Sequence, residues 1–473
     1  MEKLIGRQRE IRMLEQYMAS DRAEFIAVYG RRRVGKTFLI RQHLSNQFSF
    51  DVTGIIEGRK NEQMTVFHEA LKQYGYTGTK PRTWLEAFFA LREILKGKVN
   101  EPCIVFIDEL PCFDTPKSGF VHALSHFWNS WAAWQPQFKL IVCGSATSWM
   151  VRNIIDNHGG LHNRVTHEIA LKPFTLGETE EYFKSRGFLW SRLGILHTYM
   201  AVGGVPYYLS LFNIGESPAQ GIDRLFFSEN GEFQKEYHRL FGSLFRNPDP
   251  YLKIIDLLAA KPQGLTRDEI SRKLNTDNNG RLGNILNDLI YCDFIRYNPV
   301  RDKKIKANSG IYVLADFYTL FYHSFLKKTT TKAIHYWTQM QGTPIVNTWL
   351  GLAYERVVMA HIANVKKALG IESVLTESYS WRTKDDTAPA VQIDLLIERA
   401  DKMINLCEIK YSETEYNLTK EEYLKIGRRV DAFKQATQTR YGIVPTMVTT
   451  FGLTQGMYSD AIQANVVLDD LFC

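Results

Sequence analysis

Two groups of residues in this 473-residue chain have the types and spacing to do chemistry. The first is the stretch 30–37, where Gly30, Val34, Gly35, Lys36 and Thr37 stand in the spacing G-x4-G-K-T. Glycines at those places let the backbone curl with its N–H groups pointing inward, toward an anion. Lys36 then reaches the outer phosphate oxygens, and the Thr37 hydroxyl is a ligand for Mg2+. Asp108 and Glu109 follow the apolar run 103–107 and supply the partner pair. Asp108 meets the metal, and Glu109 orients or deprotonates the attacking water. The tandem acids predict that ATP is bound with Mg2+ and hydrolysed.

The second group is Asp394, Glu408 and Lys410, spaced D-x13-E-x-K. Residues 391–397 and 403–411 read as two strands around a turn at 399–402. Antiparallel pairing centred near residue 401 sets position 394 opposite 407 or 408, which brings Asp394 to Glu408. Glu408 and Lys410 are two apart on one strand and so share a face. Two carboxylates beside a lysine make a site for a hard cation. A metal held there polarises a phosphodiester and generates hydroxide. The alternative is a solvated strand face that holds no metal.

The elements that must position these residues are legible as patterns. Runs 24–29, 48–53, 103–109, 138–145 and 166–171 read as strands, several of them without alternation, as suits a parallel sheet buried on both faces. Helices are expected at 38–44, 61–74 and 83–96, with Phe67, Leu71, Trp84, Phe88, Leu91 and Leu95 in the core. Another carries Phe127, Trp128 and Trp131. Residues 174–245 read as helical. Beyond them come a helix at 251–260, one capped by Thr266, one at 280–292, and strands 294–300 and 310–314 around a basic turn. Three helices and a basic hairpin describe a winged helix, whose third helix enters the major groove. Arg281, Asn284, Asn287, Lys303, Lys304 and Lys306 are then the DNA-contact candidates. The same module used for protein contacts is the alternative.

The opening Gly6, Arg7, Glu10 and Leu14, spaced G-R-x-x-E-x-x-x-L, the loop GRRRVGKT and the strand end FIDEL together resemble the archaeal-type ATPases of the AAA+ and STAND neighbourhood. The resemblance implies that Ile5, Gly6 and Arg7 pack against the adenine. It implies that Ser145, or else Thr147, senses the γ-phosphate. Arg164 would reach a neighbouring subunit's nucleotide in a homo-oligomer, unless it is a structural ion-pair residue. The G-G-x-P of Gly203, Gly204 and Pro206 matches a small helical lid, although no arginine follows it closely. The C-terminal pattern resembles the PD-(D/E)xK nucleases, in which the carboxylates hold Mg2+ and the lysine positions or activates water. Glu355, in a helix expected over 351–362, matches an upstream acid of that family. Ile393 departs from its pattern by standing where Pro is found.

The expected architecture is α/β: a P-loop ATPase core with a parallel sheet at 1–172, a helical lid at 173–245, a winged helix at 246–334 and a restriction-endonuclease-like domain at 335–473. The leading expectation is an ATP-binding and ATP-hydrolysing enzyme that binds DNA and cleaves it with Mg2+. The alternative is a STAND-like switch, gated by ATP and ADP, that acts through protein contacts with an inactive nuclease-like domain. Hydrophobic residues at 45% and charged residues at 23% are ordinary for globular protein. No segment approaches the ~20 apolar residues of a membrane span, and the start lacks a signal-peptide pattern, so a cytoplasmic protein is expected. The net charge of +7 is unevenly spread, with the Lys and Arg surplus densest in 246–334, which points to a polyanion partner there. Six cysteines without a C-x-x-C pair give neither a disulfide framework nor a zinc site. Cys103 and Cys143 are expected in the core, and His158 and His162 at the surface.

Overall fold

The computed structural model describes residues 4–45, 47–98, 101–157, 159–245, 247–299, 310–328, 335–382 and 391–473. Lys303, Lys304, Lys306 and His158 lie outside the described residues. The chain forms two compact units. One comprises residues 1–173, 205–207 and 242–246, the other 174–204, 208–241 and 247–473.

The first unit is built on five parallel strands: β1 (Glu24–Tyr29), β2 (Phe48–Thr53), β3 (Cys103–Asp108), β4 (Phe138–Gly144) and β5 (His167–Ala170), in the order β2-β3-β4-β1-β5. Every residue of β3 and β4 is buried. Successive side chains of a strand point to opposite faces, so each central strand feeds two cores. Phe25, Ala27, Val105 and Ile107 join one, with Phe67, Leu71, Trp84, Phe88, Leu91, Leu95, Phe127 and Trp128. Ile26, Val28, Ile104 and Phe106 join the other, with Leu14, Leu39 and Ile40. Both faces being covered explains why these strands read as unbroken apolar runs. Cys103 and Cys143 are buried within them as free thiols, and burial raises the pKa of both.

In the second unit, the helices Asp249–Ala259, Arg267–Leu274 and Gly280–Tyr291 pack with a small antiparallel sheet of β6 (Leu265–Thr266), β7 (Ile295–Pro299) and β8 (Gly310–Leu314), ordered β6-β8-β7. Thr266 caps its helix as expected: its hydroxyl accepts from the Glu269 N–H, and Glu269 in turn accepts from the Thr266 N–H at 2.7 Å. A second sheet contains β9 (Thr376–Arg382), β10 (Gln392–Arg399), β11 (Met403–Lys410), β12 (Gly442–Thr449) and β13 (Ala464–Val466), ordered β13-β12-β11-β10-β9. β9, β10 and β11 pair antiparallel, whereas β11, β12 and β13 pair parallel. The helix Pro344–Ala360 packs on β11, and Lys420–Thr437 lies against β12.

Of the helical stretch expected over 173–245, residues 174–204 and 208–241 lie in this second unit. The buried carboxylate of Asp223 accepts from the N–H groups of Trp337 at 2.6 Å and Thr338 at 3.0 Å. The Leu176 N–H donates to the His361 ring at 2.9 Å, and His197 meets the Tyr411 hydroxyl at 2.6 Å. The paired glycines have a steric cause. Gly203 sits at φ 69°, in the left-handed region, and a Cβ on Gly204 would lie 1.9 Å from the Phe174 carbonyl oxygen. Among the described residues no helix is long and apolar enough to cross a membrane.

Candidate functional site

The loop 30–37 joins the end of β1 to the helix Lys36–His43. Two of its glycines are required by geometry. A Cβ on Gly30, at φ 148°, would lie 2.2 Å from the Leu171 carbonyl oxygen of the chain leaving β5. Gly35, at φ 89°, is the left-handed residue that starts the helix. The buried Lys36 ammonium lies across the loop and donates to the carbonyl oxygens of Gly30 at 2.9 Å and Arg31 at 3.0 Å. The sheet order places β4 between β1 and β3, so the ends of β1 and β3 flank one crevice. Thr37 and Asp108, distant in sequence, meet there: the Thr37 hydroxyl donates to an Asp108 carboxylate oxygen at 2.8 Å. Burial pushes the Asp108 carboxyl above its ordinary value, and the Glu109 charge adds to the rise, while the Thr37 bond opposes it.

Glu109 follows with φ 47°. Its carboxylate accepts from the Ser145 hydroxyl at 2.8 Å and the Ser145 N–H at 3.3 Å. The polar residue expected at the end of β4 therefore meets the expected water-orienting acid directly. Thr147 is buried, and its hydroxyl has no hydrogen-bond partner among the described residues. The opening segment reaches the same loop. Gly6 and Arg7 both take left-handed backbone, and the buried Arg7 guanidinium donates to the Val34 carbonyl at 3.0 Å. Ile5 beside them is half-buried. Sequence reading missed Tyr207, whose ring stacks under the Arg33 guanidinium at 4.3 Å. Its only signal was adjacency to the G-G-x-P segment. Arg164 is exposed in the turn before β5, and no ion pair holds it among the described residues.

The C-terminal residues gather differently from expectation. The hairpin register pairs Leu395 with Cys407, which leaves Asp394 and Glu408 as the next opposed positions. On its other edge β10 carries a bulge: Ile393 pairs with Trp381 and Leu396 with Tyr379, so Asp394 and Leu395 both face Ser380. Bulges of this kind re-aim side chains. The Ser380 hydroxyl donates to the Asp394 carbonyl at 2.7 Å, and the Gln392 amide donates to the Asp394 carboxylate at 2.7 Å. Asp394 and Glu355 line one cavity of about 300 Å3 with Arg356, Arg382 and Arg429. Glu408 instead pairs with Lys410 at 3.0 Å and with Arg429. The expected ligand set of Asp394, Glu408 and Glu355 is thus not assembled, because two cations of the chain itself already balance Glu408. Among the described residues no group of three His, Cys, Asp or Glu side chains could hold a metal ion. Arg356 and Arg429, each on a helix over the sheet, were not anticipated, since nothing in their local sequence separates them from surface arginines.

Burial raises the Glu355 carboxyl to about 7, with the Asp394 charge adding to the rise and Arg356, Lys410 and Arg429 opposing it. A carboxyl raised on folding costs stability when ionised, and the penalty disappears as pH falls toward its unfolded value. Glu355→Gln should therefore raise the unfolding temperature of the chain at pH 8 in EDTA. The gain corresponds to about 3 kcal/mol and should shrink steadily between pH 7 and pH 4.5. Calorimetric scans of parent and variant across that range check it, and an advantage that grows on acidification would contradict it.

Residues 4–212 match the sequence model of an ATPase domain found predominantly in Archaea. Over 439 residues the chain is 22% identical to an uncharacterised protein of Methanocaldococcus jannaschii, spanning 90% of this chain and 91% of that one. An uncharacterised ATP-binding protein of the same organism is 44% identical over 43 residues, which are 9% of this chain and 73% of that protein. Among solved structures, the Walker-type ATPase of Pyrococcus abyssi is 19% identical with a TM-score of 0.44, covering 68% of this chain and 96% of that one. The ORC2 protein of Aeropyrum pernix is 14% identical with a TM-score of 0.40, covering 68% and 93%. The family match and the loop geometry coincide in the segment 4–212, which is similar to the archaeal-type ATPase domain.

Proposed function

We propose that the chain binds and hydrolyses ATP with Mg2+ at the 30–37 loop and acts on DNA through its second unit. One observation carries the first part: Thr37, Asp108, Glu109 and Ser145 converge through hydrogen bonds of 2.8 Å at the strand ends beside the loop. The donor set there is a hydroxyl and a buried carboxylate, the hard oxygens Mg2+ prefers. When bound, the metal neutralises charge on the phosphates. Thr37 and Asp108 would hold it, and a nearby cation would relieve the burial penalty on Asp108. Lys36 would leave the carbonyls of Gly30 and Arg31 for the phosphate oxygens. Glu109 would orient water once Ser145 turns from it to the γ-phosphate. Ile5, Gly6 and Arg7 would border the base, with Arg7 fixing their distance from the loop through Val34. Arg164, exposed before β5, is available to the nucleotide of a second copy in a homo-oligomer.

The three helices with β6, β7 and β8 are read as a winged helix. Arg281, Asn284 and Asn287 are exposed along Gly280–Tyr291, the helix such a module presents to duplex DNA. The residues from Pro344 onward are read as a PD-(D/E)xK-like domain. Glu355 and Asp394 share a cavity, and they would hold Mg2+ there only once Glu408 left Arg429 to join them. Lys410 would then donate to the oxygen of the attacking water and position it. The engagement of Glu408 by Lys410 and Arg429 favours a second reading, a STAND-like switch whose nuclease-like domain binds without cleaving.

Steady-state phosphate release tests the first part. Lys36→Ala should abolish ATP binding, because the loop loses its mobile cation. Glu109→Gln should keep binding and lower turnover by about a hundredfold or more, the scale of a lost general base. ATP binding by Lys36→Ala at the parental affinity would refute the loop assignment. For the second part, single-stranded and duplex DNA are incubated with Mg2+ or Mn2+, with and without ATP. Cleavage should appear, vanish in Asp394→Ala, and leave that variant's ATPase rate unchanged. Cleavage that survives Asp394→Ala would rule out this site. No cleavage in the parent would leave the switch.

A further inference from the structure

The cavity that holds Glu355 and Asp394 has walls from two modules of one compact unit. Pro262, Gln263, Asn298, Ile311 and Val313 come from the three-stranded module. Trp381, Gln392 and Ile409 come from the five-stranded sheet, and Leu352 and Met359 from the helix Pro344–Ala360. The Arg356 guanidinium fastens the walls together, donating to the Leu314 carbonyl at 3.2 Å and the Pro262 carbonyl at 2.6 Å. It is therefore spent on the scaffold. Arg382 and Arg429 line the cavity as well, and the Arg382 contact to the Gln263 carbonyl is long, at 3.5 Å. Arg356 is held by carbonyls and Arg429 by Glu408, so Arg382 is the lining guanidinium whose contacts leave it able to turn to an anion.

We propose that this cavity receives one unpaired nucleotide of a nucleic-acid strand. The inference deepens the nuclease reading above by naming its substrate class, and it rests on the Glu355–Asp394 cavity being a nucleic-acid site. Volume decides against a paired stretch. About 300 Å3 is at the lower end of small-molecule sites, enough for a single nucleotide and far too small for a duplex. Both acids line this cavity, so a phosphodiester reaches them only when its nucleotide leaves the stack, which is easiest in single strands. The lining suits that guest: Arg382 for the phosphate, where a charge-assisted bond is strong; Asn298 and Gln263 for polar edges; Val313, Ile311 and Leu352 for the apolar faces. A free nucleoside monophosphate shares this chemistry and is separated from a strand by experiment.

The test is equilibrium binding of the full chain in EDTA, which removes cleavage from the readout. The probes are a labelled single-stranded oligonucleotide, a duplex closed by hairpins at both ends, and deoxyadenosine monophosphate as competitor. Arg382→Ala should weaken single-strand binding about tenfold, the scale of one charged hydrogen bond, and leave closed-duplex binding unchanged. Asn298→Ala, which removes no charge, should act in the same direction and guards against a folding defect in the first variant. If the monophosphate alone binds in an Arg382-dependent way and the single strand does not, the guest is a free nucleotide and the proposal fails. Equal losses for single strand and duplex, or none, also overturn it, as does cleavage at paired positions inside the closed duplex when the same probes are incubated separately with Mg2+. That last result would leave the nuclease reading intact. Conversely, an Arg382-dependent single-strand affinity in a chain that cleaves nothing would uphold the inference and refute the nuclease reading.

Discussion

A carboxylate at the end of a central strand in a parallel sheet buried on both faces needs a partner, and the first unit is arranged around that need. Asp108 is 2% exposed at the end of a strand in which every residue is buried. An ion in such surroundings is costly unless a hydrogen bond or a cation answers it. Thr37 answers one oxygen, and the Glu109 N–H answers the other at 3.0 Å. Because Thr37 follows Lys36, that bond also fixes the helix Lys36–His43 and the ammonium that opens it. Gly30 permits the close pass of the chain leaving β5, and Arg7 ties the opening segment to Val34. The arrangement around the 30–37 loop is thus a set of consequences of where one buried charge sits.

Much of this was legible in the sequence, for reasons that can be stated. Strands buried on both faces lose alternation, so 24–29, 103–108 and 138–144 announce themselves as apolar runs. The glycine spacing fixes a loop, and the loop fixes which polar residues belong at the neighbouring strand ends. Asp108 and Glu109 follow from that reasoning and Ser145 from the family resemblance, and hydrogen bonds join Thr37 to Asp108 and Ser145 to Glu109. The Thr266 capping box was readable because both of its bonds are local.

What was not legible depends on contacts with no local signature. The antiparallel register of β10 and β11 followed from the turn at 401, but the bulge opposite Ser380 did not, because it depends on pairing with β9 and has no local signature. Arg429 reaches Glu408 from a helix beyond the hairpin, and an arginine in an exposed-looking helical pattern carries no mark of its partner. The stretch 173–245 was read as a helical lid from its G-G-x-P segment, and the bonds of Asp223, His197 and Leu176 to segments between 337 and 411 carried no local signal. Long-range pairing of this kind is decided by tertiary packing and leaves sequence order uninformative.

The central claim is that Asp108 and Thr37 together hold the metal of a nucleotide site. Isothermal titration of the full chain with ATP, in Mg2+ and in EDTA, measures it directly when parent and Asp108→Asn are compared. The asparagine keeps the shape and an oxygen for Thr37 but removes the charge that a divalent cation requires. The account predicts that Mg2+ strengthens ATP binding in the parent and that this increment is lost in Asp108→Asn, with binding in EDTA little changed. An undiminished Mg2+ dependence in Asp108→Asn would contradict it.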